Sequence, residues 1–179
     1  MKATGIVRRI DDLGRVVIPK EIRRTFRIKE GDSLEIYTDN DGEVIFKKYS
    51  PMGELSDFAA QICDSLHKTT GATNAICDRD GVIAASGTLK REILDRRVSR
   101  QLEQIMEKRS AYVPQGCTAP AVCEDTTEPV IAAAAPIIAS GDVMGCVLFV
   151  TKSDGAAAGD TELKLAQTVA GFLGRQMEQ

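Results

Sequence analysis

The chain has 179 residues, 43% of them hydrophobic, and a formal net charge of −3. This length suits one large domain or two small ones, and the composition is that of a globular protein. No apolar run reaches about 18 residues, and no charged start leads into an apolar stretch and a cleavage site. We therefore expect a cytoplasmic protein with neither a membrane span nor a secretion signal.

Charge is divided unevenly along the chain. Residues 1–29 carry nine basic and three acidic side chains, whereas residues 30–46 carry six acidic side chains and no basic one. Residues 1–52 consequently have a net charge of +2, and the remainder of the chain has −5. A basic start followed by an acidic body predicts two modules.

The boundary between the modules is predicted where Pro51 and Gly53 interrupt both helix and strand patterns. We assign residues 1–50 to the first domain, 51–54 to a linker and 55–179 to the second domain.

The first module reads as two hairpins with a helix between them. In the first, "ATGIVRRI" and "GRVVIP" are β-branched segments around the turn "DDLG", and in the second, "DSLEIYT" and "EVIFKKY" alternate around Asp41-Gly42. Pro19 suits the first position of a helix, so a helix is predicted over residues 19–28. At four-residue spacing, Ile22 and Phe26 share its buried stripe.

About 50 residues with this content bury little apolar surface, and domains of that size are marginal without a metal, a disulfide or a partner. We therefore expect the first module to dimerise, so that hairpins of two chains complete one core. A two-fold axis would then join the arginines of both chains into one basic surface.

That basic surface is a candidate DNA interface, because arginine can bind phosphate or the O6 and N7 atoms of guanine. Arg23 and Arg24 lie on the helix, and Arg8 and Arg15 lie on the first hairpin. The alternative is a solvated face with local ion pairs, such as Glu21 with Arg24.

The segment "TGIVRRIDDLGRVVIPKEIRRTFRIKEGDSLEIYTDNDGEVIFKKY", residues 4–49, resembles the DNA-binding domain of the AbrB transition-state regulators. The resemblance implies a swapped-hairpin β-barrel dimer that binds double-stranded DNA through Arg8, Arg15, Arg23 and Arg24. Charge and position alone add Lys2 and Arg9 to the candidate DNA-binding residues.

The chain length, the second domain after "KKYSP" and the terminal "FLGRQMEQ" place the resemblance among the sporulation regulators of that family. It implies an activator and repressor of genes in the developing spore, associated with the nucleoid.

The second module reads as alternating helices and strands. Apolar periodicity predicts helices over residues 54–68, 88–109 and 160–178, with strand pairs in 73–87 and 129–152. This order indicates an antiparallel sheet with helices packed against it. The pattern, with "ICDRDGVIAASG" and the hairpin around "SGDVMG", resembles a GAF sensor domain, so the fold class of the whole chain is α+β.

A GAF-like domain could hold an unidentified small molecule between its sheet and its helices. Candidate lining residues are Ile76, Ile83, Ala85 and Ile138. The alternative is that these side chains simply fill the core.

No cofactor or metal is expected. The five cysteines are odd in number and contain no CxxC pair, and the single histidine, His67, is not placed to join them. Most of the cysteines are expected to be small core residues, whereas Cys117 and Cys123 lie in a polar, loop-like segment.

The last helix carries two apolar series. One comprises Leu163, Ala166, Ala170, Leu173 and Met177, and the other comprises Leu165, Val169 and Phe172. If the first series covers the sheet, the second can contact another chain, which predicts a tetramer through the GAF-like helices. The alternative is one broad core stripe.

We expect a DNA-binding transcriptional regulator and weigh two alternatives. An enzyme is disfavoured because Asp78 and Asp80 suit a turn and no histidine lies near them in the sequence. An antitoxin-like protein-binding module is possible for the swapped-hairpin fold. Such a module usually meets its partner through a disordered tail, and here a folded domain occupies that place.

Overall fold

The computed structural model divides the chain into two compact units, with the boundary between Tyr49 and Ser50. We call residues 1–49 the N-terminal unit and residues 50–179 the C-terminal unit. The structure describes residues 5–50, 52, 55–115, 119–155 and 158–178. Of the predicted linker 51–54 it describes only Met52, which is buried, so the linker stays a prediction.

The second predicted hairpin of the N-terminal unit is confirmed. Strands β1 (Leu34–Thr38) and β2 (Val44–Lys48) pair antiparallel. One carboxylate oxygen of Asp39 accepts the backbone N–H groups of Asp41 and Glu43 at 3.1 and 2.8 Å. Gly42 adopts φ +82°, a conformation that glycine tolerates without steric cost, and this closes the turn.

The first predicted hairpin is only partly correct. Its turn forms, since the N–H of Gly14 donates to the carbonyl of Asp11 at 3.0 Å. The described residues on either side of the turn, 5–10 and 15–19, form no strand within the single chain. A strand needs a neighbouring backbone to satisfy its N–H and C=O groups, and Val7 and Val17, on either side of the turn, are 88% and 72% exposed.

The predicted helix 19–28 is shorter than expected. Helix α1 spans Lys20–Thr25, and Pro19 caps it rather than occupying its first turn. The helix cannot continue because Arg27 adopts a left-handed φ of 53°. Ile22 is half-buried, whereas Phe26 is 55% exposed, so the expected burial of Phe26 is wrong for the single chain.

The C-terminal unit is a four-stranded antiparallel sheet with helices on both faces. Its elements are α2 (Ser56–Thr70), β3 (Thr73–Asp78), β4 (Val82–Ser86), α3 (Lys90–Ile93), α4 (Arg100–Glu107), β5 (Val130–Ala139), β6 (Asp142–Thr151) and α5 (Asp160–Gln176). The strand order is β4-β3-β6-β5, with β3 and β6 at the centre. The strand pairs and the outer helices therefore lie where the sequence predicted them.

The predicted helix 88–109 is wrong as a single element, because it breaks into α3 and α4. Asp95 adopts a φ of 61°, which a right-handed helix does not allow. The backbone N–H of Asp95 instead donates to the carbonyl of Val82 at 3.0 Å. Helix α4 then begins at Arg100, and the hydroxyl of the preceding Ser99 accepts the N–H of Leu102 at 3.1 Å as an N-terminal cap.

Two apolar clusters sandwich the sheet. On one face, Leu173 of α5 belongs to the same buried cluster as Ile76 and Phe149 of the sheet. On the other face, Leu102 of α4 belongs to the cluster that contains Leu148. Four cysteines are buried in these clusters as free thiols, as predicted, namely Cys63, Cys77, Cys123 and Cys146. Cys117 lies outside the described residues.

Candidate nucleic-acid interface

The arginines predicted to bind DNA are all exposed where the structure describes them. Arg8 and Arg9 precede the turn at residues 11–14, Arg15 follows it, and Arg23 and Arg24 are neighbours on α1. Lys2 lies outside the described residues. Among the ion pairs of the described residues, none joins Glu21 to Arg24, the example given for the alternative of a solvated face, whereas Arg15 does pair locally with Asp11.

Arg15 is fixed to the turn that precedes it. Its backbone N–H and its Nε donate to the two carboxylate oxygens of Asp11, each at 2.8 Å. The backbone N–H of Asp11 in turn donates to the carbonyl of Arg15 at 3.0 Å. The carboxylate of Asp11 accepts hydrogen bonds from the backbone N–H and the guanidinium of Arg15, and both favour its charged form. They therefore lower the pKa of Asp11, the backbone N–H more than the guanidinium.

The N-terminal unit exposes many large apolar side chains, and clustered exposed apolar residues are typical of an interaction surface. Its large exposed apolar side chains are Ile6, Val7, Ile10, Leu13, Val16, Val17, Phe26, Ile36, Tyr37, Val44, Phe46 and Tyr49. Most lie on the unpaired segments around the first turn or on the two-stranded sheet. In the single chain these side chains have no core in which they could be buried.

The C-terminal unit has an apolar groove between α2 and α5. Its volume is about 380 Å³, and Ile62 and Leu66 of α2 face Leu165 and Val169 of α5 across it. Beside the groove, the rings of Phe58 and Phe172 lie 5.9 Å apart and are 36% and 42% exposed. The second apolar series of the last helix thus lies along this groove, while Ala166, Ala170 and Leu173 of the first series are buried.

The four candidate ligand-binding residues do not come together. Ile76 and Ile83 belong with the cluster under α2 and α5, Ala85 lies in the cluster on the opposite face, and Ile138 is 37% exposed. A ligand role for these four residues stays a prediction.

Sequence reasoning missed a cleft of about 440 Å³ at the end of the sheet, which Thr73, Thr88, Lys152 and Glu162 line with several apolar residues. Its signal was weak, because these residues are scattered over four segments of the chain.

Comparison with known proteins decides the family. The profile described as "Stage V sporulation protein T C-terminal, transcription factor" matches residues 54–178. Stage V sporulation protein T of Bacillus subtilis is 51% identical over 180 aligned residues, which cover all of both chains. The chain belongs to the stage V sporulation protein T family. This family is one of transcription factors, the class of protein that the sequence predicted.

The N-terminal unit has its own relatives. Residues 7–53 match the profile described as "Antidote-toxin recognition MazE, bacterial antitoxin". The transition state regulatory protein AbrB of Bacillus subtilis is 59% identical over 63 residues, covering 32% of this chain and 65% of its own. The predicted AbrB-like, swapped-hairpin fold is confirmed.

The C-terminal unit resembles solved GAF domains. The second GAF domain of DevS from Mycobacterium smegmatis has a TM-score of 0.50 and 14% identity, covering 69% of this chain and 92% of its own. This likeness confirms the predicted GAF-like fold.

No described helix is both long and apolar enough to cross a membrane. No group of three or more His, Cys, Asp or Glu side chains in the described ranges converges as metal ligands would.

Proposed function

We propose that this member of the stage V sporulation protein T family regulates sporulation genes by binding double-stranded DNA through the arginines of its N-terminal unit. The observation that carries the proposal is the exposure of Arg8, Arg9, Arg15, Arg23 and Arg24 on one small AbrB-like unit. Phosphate contacts by these side chains would supply most of the affinity, with DNA shape adding selectivity. Lys2 extends the set on charge alone.

The proposal includes a dimer through residues 1–50. In this arrangement the unpaired segments around the first turn would find their strand partners in the second chain. Burying side chains such as Val7 and Val17 would give the unit the core that a single copy lacks. The same two-fold axis would present two sets of arginines to DNA.

A second contact would join dimers into a tetramer. The groove between α2 and α5, with Phe58 and Phe172 beside it, supports this step, because exposed aromatic side chains often anchor protein interfaces. In this scheme residues 1–50 bind DNA, 51–54 link, and 55–179 assemble the subunits. The protein would act in the cytoplasm of the developing spore, on the nucleoid, as activator or repressor according to the promoter.

One observation favours an alternative for the N-terminal unit. The match of residues 7–53 to the MazE antitoxin family fits a protein-binding module. Recovery of a stable, stoichiometric toxin with the full-length protein would support this alternative. We favour DNA because the chain matches a transcription factor family through residues 54–178.

The experiment is a titration of a duplex DNA fragment with full-length protein over a series of salt concentrations. We expect Arg15→Ala and Arg24→Ala each to weaken binding about tenfold and to reduce the slope of affinity against salt. Arg175→Ala removes an exposed arginine in the last turn of α5 and serves as the matched control, with unchanged affinity.

Thermal unfolding of each variant completes the test. Folded variants with lost affinity support the proposal. Unchanged binding in folded variants would make the arginines a solvated face, and unfolding of either variant at ordinary temperature would make them structural.

A further inference from the structure

The carboxylate of Asp11 makes two kinds of contact in the turn between Asp11 and Arg15. Its Oδ1 accepts the backbone N–H groups of Leu13 and Arg15 at 3.0 and 2.8 Å, which shapes the turn. Its Oδ2 accepts the Nε of Arg15 at 2.8 Å, which orients the guanidinium. Backbone hydrogen bonds between residues 11 and 15, and from Gly14 to Asp11, close the loop.

This arrangement leaves the binding atoms of Arg15 available. A guanidinium has five N–H donors, of which Nε supplies one. With Nε held by Asp11, the two terminal nitrogens keep their donors for a phosphate or a guanine. An unrestrained arginine would have to give up its rotamer freedom when it binds. An arginine held in place by a neighbouring carboxylate has lost part of that freedom already.

We infer that Asp11 is a positioning residue for DNA recognition, which orients the guanidinium of Arg15 before DNA arrives. This inference rests on the proposed function, in which Arg15 contacts DNA. The two backbone hydrogen bonds to Oδ1 account for the shape of the turn, whereas the ion pair with Arg15 is exposed and contributes little to folding.

A positioning role of Asp11 and a purely electrostatic role predict opposite changes in DNA affinity when its charge is removed. Asp11 is an acid next to a surface that meets a polyanion, so removing its charge should raise DNA affinity if charge were all that mattered. If Asp11 positions Arg15, removing its charge should lower affinity despite the gain in net positive charge. The direction in which DNA affinity changes therefore distinguishes the positioning role from the electrostatic one.

Asp11→Asn is the informative variant. The amide oxygen of asparagine can still accept the two backbone N–H groups that shape the turn, whereas its NH₂ group cannot accept the Nε of Arg15. Asp12→Asn is the matched control, because it removes the same charge from an exposed position in the same turn that is absent from these hydrogen bonds. Both are measured in the full-length protein.

We expect Asp11→Asn to reduce affinity for duplex DNA about fivefold and Asp12→Asn to leave it unchanged or raise it. In a double-mutant cycle, Asp11→Asn should have no further effect once Arg15→Ala is present. Unfolding temperatures of all variants, taken on the same samples, show whether the turn survives.

The outcomes are distinguishable. If Arg15→Ala weakens binding and Asp11→Asn does not, the positioning role is wrong and the proposed function stands. If Arg15→Ala itself has no effect, the proposed contact is wrong, and the positioning role falls with it. If Asp11→Asn weakens binding equally with and without Arg15, the carboxylate acts on the fold and not through Arg15, which also overturns the inference.

Discussion

At the scale of single residues, burial determines the chemistry of the cysteines. Cys63 on α2 is fully buried, and desolvation, with a smaller contribution from the neighbouring Asp64, raises the pKa of its thiol to about 12. Cys77 and Cys146 face each other across β3 and β6, and burial raises the pKa of both thiols. The reactive form of cysteine is the thiolate, so these residues are inert packing groups.

We therefore predict that the buried thiols resist a thiol reagent. Because Cys117 lies outside the described residues, the test uses a Cys117→Ser variant with the disulfide reagent DTNB at pH 8. Labelling of the folded protein should be about a thousandfold slower than that of free cysteine. Because the pKa of Cys63 is raised, its reaction rate should still increase with pH well above pH 9, where a free thiol levels off.

The same variant in concentrated urea is the control, in which all four remaining thiols should react at once. Rapid labelling of two or more thiols in the folded protein would contradict their placement in the core.

At the scale of elements, α5 packs on the sheet through a glycine. A Cβ at Gly174 would overlap the carbonyl oxygen of Ile138 on β5, so only glycine permits this close approach. Gly171, three residues earlier on α5, has open space around its missing Cβ. One helix thus offers a contact glycine and a free glycine for direct comparison.

We predict opposite effects for the two alanine substitutions. Gly174→Ala should lower the free energy of unfolding by about 2 kcal/mol, because the added methyl group forces the helix away from the sheet. Gly171→Ala should raise it by about 0.5–1 kcal/mol, because alanine is the better helix former. Urea unfolding monitored by circular dichroism measures both, and equal effects of the two substitutions would contradict the packing of α5.

Element prediction from the sequence succeeded where apolar periodicity was strong. Helices α2 and α5 and the pair β5–β6 lie within two residues of their predicted ranges, because each buries one regular face. The predicted helix 88–109 failed at Asp95, since its apolar stripe continues through a residue with left-handed backbone. Periodicity reports which residues are buried and not whether the backbone between them is continuous.

The candidate DNA interface could be predicted from the sequence only in part. The arginines could be identified because the concentration of basic residues in a short segment follows from the sequence alone. Asp11 was read only as a turn former, because its bond to the Nε of Arg15 depends on side-chain geometry that spacing does not specify. The ligand candidates Ile76 and Ala85 come from adjacent strands, and the sequence did not reveal that they belong to opposite faces of the sheet.

At the scale of the whole molecule, the described residues of the single chain leave two apolar surfaces open. One is the set of exposed apolar side chains of the N-terminal unit, and the other is the groove between α2 and α5. They lie on separate units, so each can meet its own partner chain. Two two-fold contacts of this kind close a tetramer when their axes cross at right angles, and this is the assembly we propose.

The last prediction separates these two contacts. Phe172→Asp places a charge beside the groove, where burial against another chain would desolvate it, so it should break the helical contact and leave the N-terminal one intact. Sedimentation equilibrium should give four times the 19.3 kDa chain mass for the unmodified protein and twice that mass for Phe172→Asp. Gln167→Asp is the matched control, an exposed position of α5 that does not line the groove, and it should keep the larger mass.

DNA binding by the same samples shows how loss of the helical contact affects function. The dimeric Phe172→Asp variant should still bind a short duplex normally, because its arginine surface is complete. It should bind a fragment with two well-separated sites more weakly than the tetramer does, since linked sites increase the effective concentration of the second contact. A Phe172→Asp variant with the full tetrameric mass would show that the groove is not the contact. A variant that is monomeric and no longer binds the short duplex would show that the two surfaces are not independent.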